Sequence, residues 1–177
     1  MVKSLDSFRL RPEANHQARH DRKGDAVYDT TDNDTITVGD LRVRFLVEAA
    51  DSNGSASVFE CYVPANSRMP APHSHAGFEE TIYGLEGTTT WTIDSETIDV
   101  GPGDAMCVRR GQIHKFQNRS DVDATFLAIA TPGVFGAAYF REVGDVLAAS
   151  AGGPPDHAAI AQVMRRHGLT PAPPATS

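Results

Sequence analysis

The chain has 177 residues, enough for one ordinary domain and too few for two, and 40% of them are apolar, enough to fill a core. A formal charge of −7 with no cluster of Lys and Arg excludes the basic footprint that a nucleic acid or an anionic membrane needs, leaving a small molecule as the expected ligand. The two cysteines, Cys61 and Cys107, are far apart in sequence, which excludes a disulfide framework or a zinc knuckle.

Residues 1–32 are polar and show neither a helical nor a strand period, so they are expected to form an N-terminal arm. Val2-Lys3-Ser4-Leu5-Asp6 has no apolar h-region, and no stretch approaches the ~20 apolar residues of a membrane helix. The expected location is therefore cytoplasmic. From Thr35 the texture changes to short runs of β-branched and aromatic residues: Thr35–Val38, Leu41–Val47 and Ala56–Val63, each closed by turn-forming residues. Further strands are expected at Glu80–Leu85, Thr88–Ile93, Thr97–Val100, Ala105–Val108, His114–Gln117 and Ala124–Ala130. Many short strands with tight Gly-containing turns mean an all-β sandwich or barrel over residues 33–131. After Thr131-Pro132-Gly133 the apolar residues recur at helical spacing, predicting a helix through Phe135–Val143. A second follows from an N-cap at Asp156 to His167, stopped by Gly168. Residues 132–169 are thus a helical extension, and 170–177, with Pro171, Pro173 and Pro174, a disordered tail.

The chemistry concentrates in the β region. His73-Ser74-His75 places two imidazoles on one face of an extended segment, because alternate side chains of a strand point the same way. Glu80 follows after four residues, and His114 stands thirty-four positions later at the start of another strand. Three imidazoles and a carboxylate form a borderline-soft N/O set, suited to one divalent transition metal per chain, Fe, Mn, Ni, Co, Cu or Zn, rather than to Ca or Mg. Glu79 and Glu80 are neighbours, so only one of them can look inward. His16, His20, His157 and His167, in a polar leader or a terminal helix, are expected in solvent.

The spacing His73-x-His75, four residues, Glu80, six residues, Gly87 resembles the first motif of the cupin superfamily. Gly103, five residues, Arg109, one residue, Gly111, two residues, His114, three residues, Asn118 is similar to the second, except that the family usually has proline at the position of Arg109. The resemblance, which extends more weakly over Val27–Leu169 to small quercetin-dioxygenase-like cupins, implies a single double-stranded β-helix, or jelly-roll, barrel with an N-terminal arm and one or two C-terminal helices. It carries the ligand role to His73, His75, Glu80 and His114, and selects Glu80 over Glu79 by the distance to Gly87. Strand parity then makes Ile82 and Phe116 cavity residues, with Cys107 approaching them and Gly84 leaving room for a ligand. Asn118 is expected to form a turn. Family habit further implies a homodimer paired through an edge strand within Thr35–Val47.

The expected function is a metal-dependent oxidoreductase of the dioxygenase type acting on a chelating enol, catechol or flavonol-like substrate, with Glu80 as base. The alternatives are an isomerase, lyase or decarboxylase acting on a small oxo-acid or sugar-like compound, and a non-enzymatic small-molecule binder.

Overall fold

The computed structural model describes residues 35–67, 71–150 and 153–173, together with the backbone of two short strands nearer the N-terminus. Those two, β1 (Ala18–His20) and β2 (Ala26–Tyr28), pair antiparallel inside the separate unit formed by residues 1–32. The sequence itself shows no strand period in these residues. Three-residue strands carry too little alternation to register as a period. The rest of the expected arm and residues 174–177 of the expected tail lie outside the described residues.

In residues 33–177 the strands are β3 (Ile36–Val38), β4 (Leu41–Val47), β5 (Ser57–Val63), β6 (His73–His75), β7 (Glu79–Glu86), β8 (Thr89–Ile93), β9 (Glu96–Val100), β10 (Ala105–Val108), β11 (His114–Gln117), β12 (Ala124–Thr131) and β13 (Leu169–Pro171). They form two antiparallel sheets, ordered β10-β7-β12-β5-β4-β3 and β13-β6-β11-β8-β9. This is the expected all-β jelly-roll barrel. One strand crosses an expected boundary: Leu169–Pro171 pairs with His73–His75, and the Ala172 N–H donates to the Pro72 carbonyl at 2.8 Å, so the first residues of the presumed tail complete a sheet.

Alternation explains the core. In β5, Phe59, Cys61 and Val63 point inward and are buried, while Val58, Glu60 and Tyr62 are half-exposed between them. The facing strand β12 supplies Phe126, Ala128 and Ala130, so that Ala128 stands opposite Phe59 and Phe126 opposite Cys61. Placing small residues against large ones lets the rungs interdigitate, and each fully buried large side chain contributes roughly 1.5–3 kcal/mol.

Neither Gly87 nor Gly84 leaves room for a side chain. Gly87 adopts φ +59°, and a Cβ there would lie 2.3 Å from the Asp123 carbonyl oxygen. At Gly84 a Cβ would lie 2.0 Å from the carbonyl oxygen of Gly101. Gly84 points inward as expected, but the space it vacates is filled by the turn between β9 and β10 rather than by a ligand.

Helix α1 runs from Ala137 to Ala149, beginning later and ending later than the sequence predicts. Helix α2 (His157–Arg166) has the expected N-cap, the Asp156 carboxylate accepting from the Ala159 N–H at 2.9 Å, and Gly168 at φ +79° closes the turn that follows it. Tyr139 and Val143 of α1 and Val163 and Met164 of α2 are buried against the barrel interior.

Candidate metal centre and its cavity

Three strands deliver the site. On β6, His73 and His75 are buried and Ser74 between them is half-exposed, as alternation requires. Strand β11 pairs with β6 at His114 opposite His73, setting those rings 4.4 Å apart, and the His75 and His114 rings are 4.8 Å apart. Glu80 enters from the other sheet on β7, with small Ala130 opposite it on β12. Its Oε2 lies 3.6 Å from His75 Nε2 and 3.5 Å from His114 Nε2. Among the described residues, His75, Glu80 and His114 form the group whose ligand atoms all lie within 4.8 Å of one another. His73 sits beside that group, buried, without belonging to it. Glu79 faces outward, half-exposed, and pairs with Arg110 Nε at 2.8 Å.

The main chain fixes which nitrogen of each imidazole is presented. Nδ1 of His73, His75 and His114 lies 3.0, 2.8 and 3.1 Å from the carbonyl oxygens of Ala71, Phe78 and Gln112. A carbonyl only accepts, so each Nδ1–H donates and each neutral ring keeps its lone pair on Nε2. His75 Nε2 is buried with no hydrogen-bond partner among the described residues. Burial alone would push the Glu80 carboxyl up, but the imidazoles of His114 and His75 outweigh it and hold the group down at about 2. Burial, and after it the neighbouring His114, lowers His73 to about 4, so this ring is neutral at neutral pH.

The lowering of Glu80 by His75 and His114 requires N–H or positive charge to face its carboxylate, a place that a cation between Oε2 and the two Nε2 atoms would take when the rings are neutral. The observed spacings of 3.5 and 3.6 Å are close to the ligand–ligand edge of about 3.0–3.4 Å that bonds of about 2.1 Å to a transition metal produce. The residues present therefore fit such a metal.

The turn before His114 meets its departure from the family pattern with hydrogen bonds. The Arg109 N–H, which a proline would lack, donates to Gln112 Oε1 at 2.9 Å, and Asp94 accepts from the Ile113 N–H at 3.1 Å. Asn118 closes the following turn, donating to the carbonyls of Val63 (3.1 Å) and Val122 (2.8 Å), as expected of a turn former.

Above the site lies a cavity of about 430 Å³ walled by Phe59, Phe78, Trp91, Phe116, Phe126 and Phe135 and roofed by α1 and α2. Apart from the histidines, Glu80 and Lys115 are its charged lining residues. Phe116 lines the cavity as predicted, but Ile82 does not. It is fully buried in the packed core, on the rung that follows Glu80 along β7. Cys107 is also corrected: it pairs with Thr81 on the outer face and is exposed, whereas Cys61 lines the cavity. Ala105-Met106-Cys107-Val108 is apolar throughout, so its parity is not legible from alternation; that of Ser57–Val63 was, and it points to Cys61. The terminal-helix histidines are not simply solvated either: His157 is exposed but borders the cavity, and His167 Nε2 lies 2.9 Å from Glu142 Oε1. Tyr139 was missed because a helix pattern names a buried face without naming what that face covers.

Residues 59–130 match the family model described as Cupin domain. Over 119 residues the chain is 28% identical to quercetin 2,3-dioxygenase of Bacillus subtilis (strain 168), an alignment covering 67% of this chain but only 34% of that protein. Among solved structures it is similar to a predicted oxalate decarboxylase from Thermotoga maritima, with TM-score 0.54 and 20% identity over 60% of this chain and 98% of the other. It is also similar to the polyketide cyclase RemF from Streptomyces resistomycificus, with TM-score 0.52 and 23% identity over 75% of this chain and 95% of that one. At such identities the structural likenesses establish the fold.

Proposed function

We propose, on the premise that this chain carries a cupin domain over residues 59–130, that it is a metal-dependent oxidoreductase of the dioxygenase type acting on a small, largely aromatic substrate with a chelating pair of oxygens. The observation that carries this reading is the convergence of an orphaned, buried His75 Nε2 with His114 and Glu80 on an aromatic cavity. His75, His114 and Glu80 would hold the metal, with His73 completing the set. A divalent transition metal bound there would supply Lewis acidity and, if redox-active, a route for electrons to dioxygen.

The remaining chemistry belongs to the chain itself. Glu80 is ionised at neutral pH, so its carboxylate oxygen is able to accept a hydrogen bond from an entering enol or phenol, although, held at about 2, it is a weaker base than an ordinary carboxylate. The carbonyls of Ala71, Phe78 and Gln112 hold the imidazoles in orientation, a task that usually falls to groups around a metal-ligating histidine. The aromatic walls exclude water and select planar, apolar ligands. A small oxo-acid or a sugar-like compound would need donors and cations around its oxygens. Lys115 is the one lysine or arginine lining this cavity among the described residues, which favours the aromatic reading.

The test is metal analysis of the purified protein followed by oxygen uptake with catechols and flavonols for each loaded metal. His114→Ala and Glu80→Gln should lose metal or turnover, while Glu79→Gln, whose ion pair is exposed, should keep both. Equal metal content in His114→Ala and wild type would overturn the site assignment. Turnover of an oxo-acid without oxygen, and none of an aromatic substrate with it, would overturn the substrate class.

A further inference from the structure

Tyr139, in the first turn of α1, is a polar group in the cavity wall that the proposed metal chemistry does not use. Its side chain is 6% exposed and lines the cavity. The ring is wedged between Phe135 and Phe140, with centroids 4.9 and 5.1 Å away, and meets the His167 ring at 5.8 Å and 70°. No hydrogen bond to its hydroxyl occurs among the described residues, and the oxygen is not one of the fully enclosed orphan atoms, so it opens onto the cavity. Burial, and then the negative charge of Glu80, raise its titration, so the hydroxyl is a neutral donor that shares the field of the candidate metal centre.

The ring is also held in place. Glu142, three residues further along α1, accepts from His167 Nε2 at 2.9 Å and from Arg166 Nη2 at 2.6 Å, tying the end of α2 to α1. That clamp keeps the His167 ring against Tyr139. A donor with no protein acceptor, on the stretch of wall it shares with Phe135, Phe140 and Val143, is what remains when the acceptor belongs to the ligand.

We propose that Tyr139 is a substrate-binding residue whose hydroxyl donates a hydrogen bond to an oxygen of the ligand distinct from the pair facing His75, Glu80 and His114. The substrate class is then narrower than a simple catechol: an aromatic compound with a chelating pair at one place and a separate phenolic oxygen at another. This rests on the reading of the metal centre above only in taking that centre as the first anchor. Glu142 is a positioning residue acting through His167.

Trp91 is the one tryptophan of the chain and lines the cavity, so quenching of its fluorescence reports occupancy directly. Two probes separate the anchors: 3-hydroxyflavone, which carries a chelating hydroxy-ketone pair and no other hydroxyl, and quercetin, which adds phenolic oxygens elsewhere. Each is titrated, with correction for absorbance, into wild type and Tyr139→Phe, both metal-loaded and stripped by a chelator, with thermal melts confirming that the variant folds. Loss of one hydrogen bond should weaken quercetin by about five- to tenfold in the variant, metal present or not, and leave 3-hydroxyflavone within about twofold. Equal effects on both probes, no effect on either, or no quenching of wild type by either would overturn the role of Tyr139. Tyr139-dependent quercetin binding that is indifferent to metal and to Glu80→Gln would instead overturn the metal-anchored reading while leaving Tyr139 standing.

Discussion

Gly84→Ala offers a severe test of how the barrel positions the site. The added Cβ would lie 2.0 Å from the Gly101 carbonyl oxygen and 2.6 Å from its carbon, both backbone atoms that cannot rotate away. Relief requires β7 and the turn before β10 to separate, which strains the Gly84 N–H to Asp104 and Gly103 N–H to Gly84 hydrogen bonds, each 3.0 Å. Two such bonds are worth about 0.5–1.5 kcal/mol apiece, and overpacking adds about 1–3 kcal/mol, giving roughly 2–6 kcal/mol in all. For a chain of this size that corresponds to a melting temperature lower by about 10 °C. Gly77→Ala is the control, since a Cβ there meets only Val134 Cγ2 at 3.9 Å, and it should stay within about 0.5 kcal/mol of wild type. The assay is thermal unfolding followed by far-UV circular dichroism on both variants. If Gly84→Ala melts within about 2 °C of wild type, the close approach is not real, and the account of why β7 carries glycine there fails. A stable Gly84→Ala protein that simply lost ligand affinity would restore the expectation that Gly84 makes room for a substrate.

Acid stability should carry the signature of His73 in metal-stripped protein. Its pKa is about 4 when folded against 6.5 ordinarily, so the unfolded chain binds the extra proton and stability falls as pH drops from about 6.5 to 4, by up to about 3 kcal/mol. His73→Gln should flatten the denaturant midpoint across that window, and an unchanged slope would refute the burial argument. Glu80 acts in a different window: its depressed carboxyl contributes stability above the ordinary carboxylate range that is lost as pH falls toward about 2. For the thiols, one fast equivalent should react with a disulfide reagent in folded protein and vanish in Cys107→Ser, because Cys61 is buried and its thiol is pushed up by burial and by Glu80. No fast equivalent would refute the parity of β10, and two would refute the burial of Cys61 on β5. A homodimer remains the expectation, now confined to the outer edge of β3, since β4 is paired on both sides. Light scattering at micromolar concentration should give twice the chain mass, and a monomer mass would reject it.

The legible parts of this molecule were those where pattern and chemistry agreed. Ala56–Val63 and Ala124–Ala130 were legible as strands from their β-branched and aromatic content, and in β7 the adjacent carboxylates could be told apart because a strand turns its side chains by parity, which places Glu80 inside and Glu79 on Arg110. What escaped depended on partners remote in sequence. Leu169–Pro171 is too short and too rich in proline to read as a strand until β6 is beside it. Ile82 has the inward parity of Glu80, but parity gives only a direction, and the packed core and the cavity lie in the same direction. Tyr139 shares its helical face with Val143, and nothing in a period of 3.6 separates a residue that plugs a core from one that roofs a void.

The hydrogen bonds from the three imidazoles to Ala71, Phe78 and Gln112 have a consequence for how this protein changes over time. Their acceptors are peptide groups, which substitution cannot delete, so ring tautomer and orientation are written into chain geometry and are indifferent to the identity of most surrounding side chains. The roof is the opposite case: it is made of side chains from two helices that follow the barrel in sequence. Mutations in α1 and α2 would therefore reshape what enters the cavity without disturbing the imidazoles below, so under the proposed function ligand preference and metal affinity would be inherited as separable traits.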